Sequence, residues 1–387
     1  MRKEFRSYYP KTKGSPSDEW MQCLKSLSGT LTEKICVLKL NIFAGLSDTQ
    51  SYYHLKSKVY DSLKELFGGR VPAFSLILQP PEESWTIAVE ALLLDIENEL
   101  VSTKYLGSIP YVVVESGTIR EIYVAGLGSV MEKDGTRDAG TLAFNQMIEI
   151  LALEKMTMND VVRQWNYIGE ILTINSQCQN YQIFNEVRSE FYKAYRTLKS
   201  YPAATGIGMQ LGGVIMDFNA VRLGERAAVF PVTNPHQLNA YEYSQNVLKG
   251  LPDKGKPQKN PPQFERALFL YRNGHGTLFI SGTASIIGQE TIGEDDIEKQ
   301  TLVTIDNIMQ LADTERVRQL IKDKRINETK FLFIRTYIKN KSDFESVKKI
   351  CNQYFPGVPA IYIQADICRD NLLVEIEAEA EVTFRED

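Results

Sequence analysis

Histidine is nearly absent from this 387-residue chain: His54, His236 and His275 are the only three. They have no metal-ligand spacing, so a multi-histidine metal centre is excluded and proton transfer must rest mostly on other side chains. Cysteine is scarce too. Cys23, Cys36, Cys178, Cys351 and Cys368 are odd in number, widely spaced and without a C-x-x-C pair, which argues against a zinc site or a disulfide framework and for a reducing compartment. No run approaches the ~18 apolar residues of a membrane span, and no apolar stretch follows the charged start MRKEFRSYYPKTKG, so a cytoplasmic location without membrane contact is expected. Basic charge is not in excess. Forty-four Lys and Arg against 49 Asp and Glu leave a net charge of −5, which does not favour nucleic acid as a partner. The glycine stretches at Gly126 and Gly206 lack G-x-G-x-x-G spacing at a helix start, and neither a P-loop nor a G-x-S-x-G is present, which argues against a dinucleotide fold.

What the chain does have is internal repetition. The stretch from Ile122 to Ala152 parallels that from Leu278 to Ala312: an apolar strand ending in Ala-Gly or Ser-Gly, then an amphipathic helix. In the second copy Leu302, Ile305, Met309 and Ala312 fall on one helical face. Further on, Phe184, Val187 and Phe191 match Phe344, Val347 and Cys351 at i, i+3, i+7, a buried stripe in each copy. A Pro-Ala turn and a hairpin follow both helices. A third copy, FGGRVPAFSLILQPPEESWTIAVEALL, aligns with FPGVPAIYIQADICRDNLLVEIEAEA. The reading is half a module at about 31–98 and full modules at about 120–225 and 276–385. The fold class expected is α+β, with mixed sheets each covered by two helices and the modules assembled as an intrachain pseudo-oligomer. Domain boundaries follow at 1–119, 120–230, 231–275 and 276–387, the third segment being a Pro/Gly/Lys-rich connector that lines a pocket.

The last strand alternates Glu375, Glu377, Glu379 and Glu381 on one face with apolar residues on the other. A solvated polar face is the plain explanation for the last two. At the first two, the middle copy carries Ile215 and Asp217, and the first copy aligns Ile87 and Val89. A carboxyl placed in a cleft beside a second carboxyl is held protonated by desolvation and like-charge repulsion, and serves as a general acid. Cys368 lies seven residues before Glu375 across a probable hairpin turn, as a packing residue or a pocket residue. Arg266 directly precedes the strand opening the last module, and a guanidinium grips a carboxylate bidentately; Arg163 and Arg369 are weaker candidates. Tyr241 and Tyr243 are hydroxyl donors or packing residues.

These modules resemble the YjgF/RidA/endoribonuclease L-PSP fold, whose members form trimers with ligand clefts between subunits. The connector carries N-P-x-Q-x-x-A-x-x-Y at Asn234, Pro235, Gln237, Ala240 and Tyr243, then P-x-F-x-R-A at Pro262, Phe264, Arg266 and Ala267. With the stretch from Asp160 to Leu172, this is similar to the chorismatases, which hydrolyse chorismate to pyruvate and a cyclohexadiene or hydroxybenzoate acid. After Tyr243 the chain departs from the family pattern in a longer, lysine-rich YSQNVLKGLPDKGKPQKNPPQFERA, at the rim of the pocket. The resemblance implies a small anionic, chorismate-like substrate, and a chain that is monomeric or homo-oligomeric, a trimer included. It implies Glu375 as proton donor with Glu377 as alternate, and Cys368 with Ala284 as influences on the product. Arg266, Gln237, Tyr241, Tyr243 and Arg163 are the substrate-binding candidates. No metal or organic cofactor is needed. Two rivals stand beside this reading: imine or enamine hydrolysis, which uses an arginine after the Pro-Ala turn where this chain has Ala204 and Ala360, and a non-catalytic small-molecule-binding protein of the same fold.

Overall fold

The computed structural model describes residues 2–385 apart from 83, 176, 225–226, 253–254, 273 and 323–324. The first module runs β1 (Arg2–Tyr8), α1 (Pro16–Ser28), β2 (Ile35–Ala44), α2 (Thr49–Leu66), β3 (Ala73–Ile77) and β4 (Ile87–Asp95), in sheet order β1-β4-β2-β3. The second has β5 (Leu100–Leu106), β6 (Ile109–Ser116), β7 (Ile119–Met131), α3 (Thr136–Leu153), β8 (Val161–Gly169), the short pair β9 (Ile174–Asn175) and β10 (Cys178–Gln179), α4 (Asn180–Tyr195), β11 (Ala203–Met209) and β12 (Gly212–Arg222). Its main sheet has the order β11-β8-β12-β7-β6-β5. The third has β13 (Ala227–Val232), β14 (Ala267–Arg272), β15 (His275–Ala284), the short pair β16 (Ile286–Ile287) and β17 (Glu290–Thr291), α5 (Ile297–Leu311), α6 (Thr314–Ile321), β18 (Ile326–Ile338), α7 (Phe344–Tyr354), β19 (Ala360–Gln364) and β20 (Val374–Phe384). Its main sheet is β13-β14-β15-β20-β18-β19.

The α+β class and the tandem arrangement are as expected, but the first module is not a half. The N-terminal residues without an assigned counterpart supply β1 and α1, which occupy the places of β7 and α3, or β15 and α5, in the other copies. The signal was local: Pro16 opens α1 behind an N-cap at Ser15, whose hydroxyl accepts from the Asp18 amide while Asp18 accepts from the Ser15 amide. The boundaries shift accordingly. Position 119/120 falls inside β7, 230/231 inside β13 and 275/276 inside β15; hairpins β5–β6 and β13–β14 extend the sheet of the module that follows each.

Helix stripes bury as their spacing predicts in two cases. Phe184 and Val187 are buried in α4, with Phe191 partly buried beside them, and Phe344, Val347 and Cys351 are buried in α7. In α5 the buried stripe is Ile305, Ile308 and Leu311, and Leu302 is 43% exposed; one helical face was read a residue out of phase.

The open faces of the three sheets meet around a common axis, closed at one end by hydrogen bonds between modules. Gln210 N donates to Leu78 O, Gly208 N to Asp366 O and Gln364 N to Pro80 O, each at 2.8 Å. Each fourth strand brings one acid to that axis: Glu90 opposite Asn41, Asp217 opposite Trp165 and Glu377 opposite Arg335. This register corrects the repeat alignment. The first-copy partners of Glu375 and Glu377 are Ala88 and Glu90, one residue on from Ile87 and Val89. A carboxylate at the Glu377 position is therefore common to all three modules, and the Glu375 position is acidic in the last alone.

Candidate active site

Three related clefts run between the parallel edge strand of one module and the first strand of the next, and one of them is hollow. In strand register Phe74 and Leu76 fill this place on β3 and Ala360 and Tyr362 on β19, but Ala204 and Gly206 on β11, where both residues are small. Between β11 and β15 this leaves a cleft of about 670 Å³, part of it open to solvent. Its wall includes Tyr181, Ala204, Gly206, Gly282, Ala284 and Glu375, and its roof Tyr243, Val247, Leu248, Phe264 and Arg266 from the connector.

Glu375 enters this cleft because β20 is pinned at its start. Gln300 of α5 donates to Asn371 O at 2.8 Å and accepts from Leu373 N at 2.8 Å, so the turn before the strand is held by a helix beneath it. On the neighbouring strand Asn307 donates to Ala284 O and Ile286 O at 3.2 and 2.9 Å, fixing the facing wall. Gly282 completes the fit: a Cβ there would overlap Oε1 of Glu375. Glu375 is 4% exposed. Burial, then the charge of Glu377, pushes its carboxyl up to about 8, against the opposing pull of Arg163 and Arg266. At neutral pH it holds a proton and faces a cavity, which is what a general acid needs.

The alternate, Glu377, is placed differently. Its carboxylate lies behind the cleft wall, accepting from Arg163 Nη2 at 2.9 Å, Trp165 Nε1 at 2.8 Å and the Thr205 hydroxyl, and ion-paired with Arg335 Nη1 at 2.9 Å. Burial pushes it up, but Arg335, Arg163 and these hydrogen bonds outweigh burial and hold it below the ordinary carboxylate value. It is an ionised neighbour of the acid and no proton donor. Arg163 is committed to the same pair and does not line the cleft, which departs from its expected binding role.

Of the connector residues, Arg266 and Tyr243 line the cleft and touch: Arg266 Nη2 donates to the Tyr243 hydroxyl at 2.6 Å, and Nε and Nη2 to Leu238 O at 3.0 and 2.6 Å. Tyr241 packs on Tyr201, ring centroids 5.4 Å apart, and does not line the cleft. Gln237 is a brace, donating to Ile286 O at 3.2 Å and accepting from Asn234. Cys368 and Ala284 both reach the cleft. Burial, with Glu375 next, pushes the Cys368 thiol up to about 12, so it stays a neutral thiol.

Sequence reasoning undervalued Arg369. It lines the cleft at 8% exposure, donates through Nη1 to Gln289 O at 2.7 Å, and its buried Nη2 has no partner among the described residues. Its guanidinium and that of Arg266 flank the Tyr243 ring at 5.1 and 5.4 Å. Two cations in one cleft suit an anionic ligand. Tyr181 was missed outright, having no motif around it. Among the described residues no three of His, Cys, Asp and Glu are grouped as metal ligands would be, and no helix is long and apolar enough to cross a membrane.

The arrangement defines a three-module fold with one acid-bearing cleft, and comparison with known proteins places it. Residues 117–220 match the family model for the N-terminal part of FkbO/Hyg5-like chorismatases. The chain is 32% identical to a 3-hydroxybenzoate synthase of Streptomyces hygroscopicus over 62% of this chain and 68% of the relative. It is 30% identical to a chorismatase of Streptomyces rapamycinicus over 66% and 73%. A chorismatase crystal structure superposes over 98% of both chains with a TM-score of 0.67 at 20% identity, which shows the fold. The chain belongs to the chorismatase family.

Proposed function

We propose that this protein is a hydrolase that cleaves the enolpyruvyl ether of chorismate, with Glu375 as proton donor. The observation that carries the reading is the buried, proton-holding Glu375 facing a cleft that also holds Arg266 and Arg369. Relatives named chorismatase and 3-hydroxybenzoate synthase support the substrate. The guanidiniums of Arg266 and Arg369 take the two substrate carboxylates, and Tyr243 between them fixes their spacing. Glu375 gives its proton to the terminal methylene carbon of the enolpyruvyl group, leaving an oxocarbenium ion. Water, or a hydroxyl of the substrate itself, adds to that cation and returns a proton to the Glu375 carboxylate. Collapse of the adduct then releases pyruvate. When water adds, chorismate and water give pyruvate and a dihydroxycyclohexadiene acid; when the substrate hydroxyl adds, chorismate alone gives pyruvate and a hydroxybenzoate, and neither balance needs a cofactor. Cys368 and Ala284 shape the space beside the ring, as a neutral thiol and a methyl group.

The rival readings lose ground on specific observations. Imine hydrolysis needs an arginine after the proline of the Pro-Ala turn, and the three positions equivalent in strand register are Phe74, Ala204 and Ala360. A passive binding protein predicts an exposed Glu375 cut off from Arg266; Glu375 is buried and shares a cleft with it. The test is pyruvate release from chorismate by the purified protein, expected to be lost in Glu375→Gln. Release no greater than in that variant would end the proposal.

A further inference from the structure

Glu377 stands two residues from Glu375 on the same face of β20. Its carboxylate is gripped by Arg163 and Trp165 of β8, Arg335 of β18 and Thr205 of β11. With both oxygens occupied by donors, it is fixed in place as an anion. Arg335 reaches further, giving Nε and Nη2 to Glu90 of β4 at 2.9 and 2.6 Å, a bidentate pair with the first module. The first module, which carries Ala88 at the Glu375 position, thus holds one side of a guanidinium whose other side pairs with Glu377.

We propose that Glu377 is a positioning residue whose fixed negative charge keeps Glu375 in its acid form, and that Glu90 of the first module strengthens this by neutralising Arg335. The inference rests on the reading of Glu375 as proton donor. It follows from the charges that face each carboxyl. Around Glu375 stand Arg163 of β8, Arg266 and Tyr243 of the connector, Cys368 and Arg369 of the loop before β20, Tyr181 of α4, Tyr337 of β18, and Glu377 on its own strand. Around Glu377 stand Arg163, Trp165 and Tyr167 of β8, Arg335 and Tyr337 of β18, Lys39 of β2, Glu90 of β4 and Glu379 on its own strand. The cations in this set favour an ionised Glu375, and Glu377 and Glu90, the acids paired directly with Arg163 and Arg335, cancel them. Removing either anion exposes Glu375 to an uncompensated guanidinium in a low-dielectric interior, where such a charge acts strongly.

The test compares Glu377→Gln and Glu90→Gln, both close in shape to the parent, and Glu377→Asp, which keeps the charge. The protonation midpoint of Glu375 is read from its carboxyl stretch by difference infrared spectroscopy against Glu375→Gln, and separately from the high-pH limb of kcat. In Glu377→Gln the midpoint is expected to fall by about one pH unit or more, the limb moving with it; Glu90→Gln shifts both the same way by less. Glu377→Asp is expected to return the midpoint toward that of the parent. An unmoved midpoint in folded Glu377→Gln overturns the proposal even if activity drops, and so does an Asp variant that behaves as Gln. The infrared midpoint needs no turnover, so a parent protein that releases no pyruvate would refute the substrate reading separately.

Discussion

Gly282 and Glu375 compete for one space: a Cβ on the glycine would stand 3.0 Å from the carboxyl carbon of the glutamate and overlap one of its oxygens. The missing side chain on β15 is therefore part of the position of the acid on β20. Gly282→Ala should fold, since the clash is with a side chain and not with backbone, but it should turn the carboxyl out of line. A displacement of about 1 Å costs on the order of 100-fold in rate. The expected result is a kcat reduced by about that factor with unchanged far-ultraviolet dichroism; near-parental kcat would show that the acid tolerates another rotamer.

The raised proton affinity of Glu375 also bears on stability. In the unfolded chain its carboxyl ionises near its ordinary value, while in the folded protein the proton is held up to about 8. The contribution is thus fully present below the unfolded value and is lost as pH rises through the folded one. Glu375→Gln carries no such dependence. Its melting temperature should gain on the parent by roughly 2 °C per pH unit between about pH 5 and 8, as scanning calorimetry would show; parallel curves would mean an ordinary carboxyl.

Arg266 and Arg369 divide the anion-binding work, so losing either should weaken binding more than folding. Hydrogen bonds to charged groups contribute about 1.5–3 kcal/mol each. Arg369→Met should therefore raise KM for a dicarboxylate about 10- to 100-fold, and Arg266→Met similarly, with part of the latter effect passing through Tyr243 and Leu238. Isothermal titration with the product would separate affinity from rate. No change in Arg369→Met would place the second carboxylate elsewhere.

Refilling the hollow cleft is a direct test of why this one of three is used. Ala204→Phe gives β11 the residue that β3 carries as Phe74. Dicarboxylate binding should fall below detection by titration, with a stability cost of no more than about 1–3 kcal/mol for the overpacked wall. Retained binding would locate the ligand outside this cleft.

Much of this was legible from sequence because repeats expose exceptions. Glu375 could be singled out since Ile215 occupies its place in the middle copy, and the motif ending in Arg266 identified the cleft roof. Glu377 and Arg163 were not separable from the site residues, because alternation shows which face a side chain shares and not whether another module waits behind it. Glu90 was hidden by a one-residue slip in aligning the first copy, which register alone resolves. The N-terminal strand and helix were missed since β1 is short and polar on one face, with only two of its seven residues buried. Tyr181 comes from an element distant in sequence and nothing local marks it, and the weight of Arg369 rests on Gln289 and Tyr243, far from it along the chain.

The connector departs from β13 at Val232 and re-enters β14 at Ala267, and those two residues are paired across one ladder. A segment whose ends are fixed side by side transmits no strain to the walls when it lengthens, and doubling a flexible loop costs only about 0.6 kcal/mol. The lysine-rich stretch between those ends is tied to the second module as well, where Leu251 N donates to Gln177 O and Asn260 N to Glu186, both at 2.8 Å. Between these ties the roof of the cleft can change in length and charge while Glu375, Gly282 and Ala204 stay where the sheets hold them.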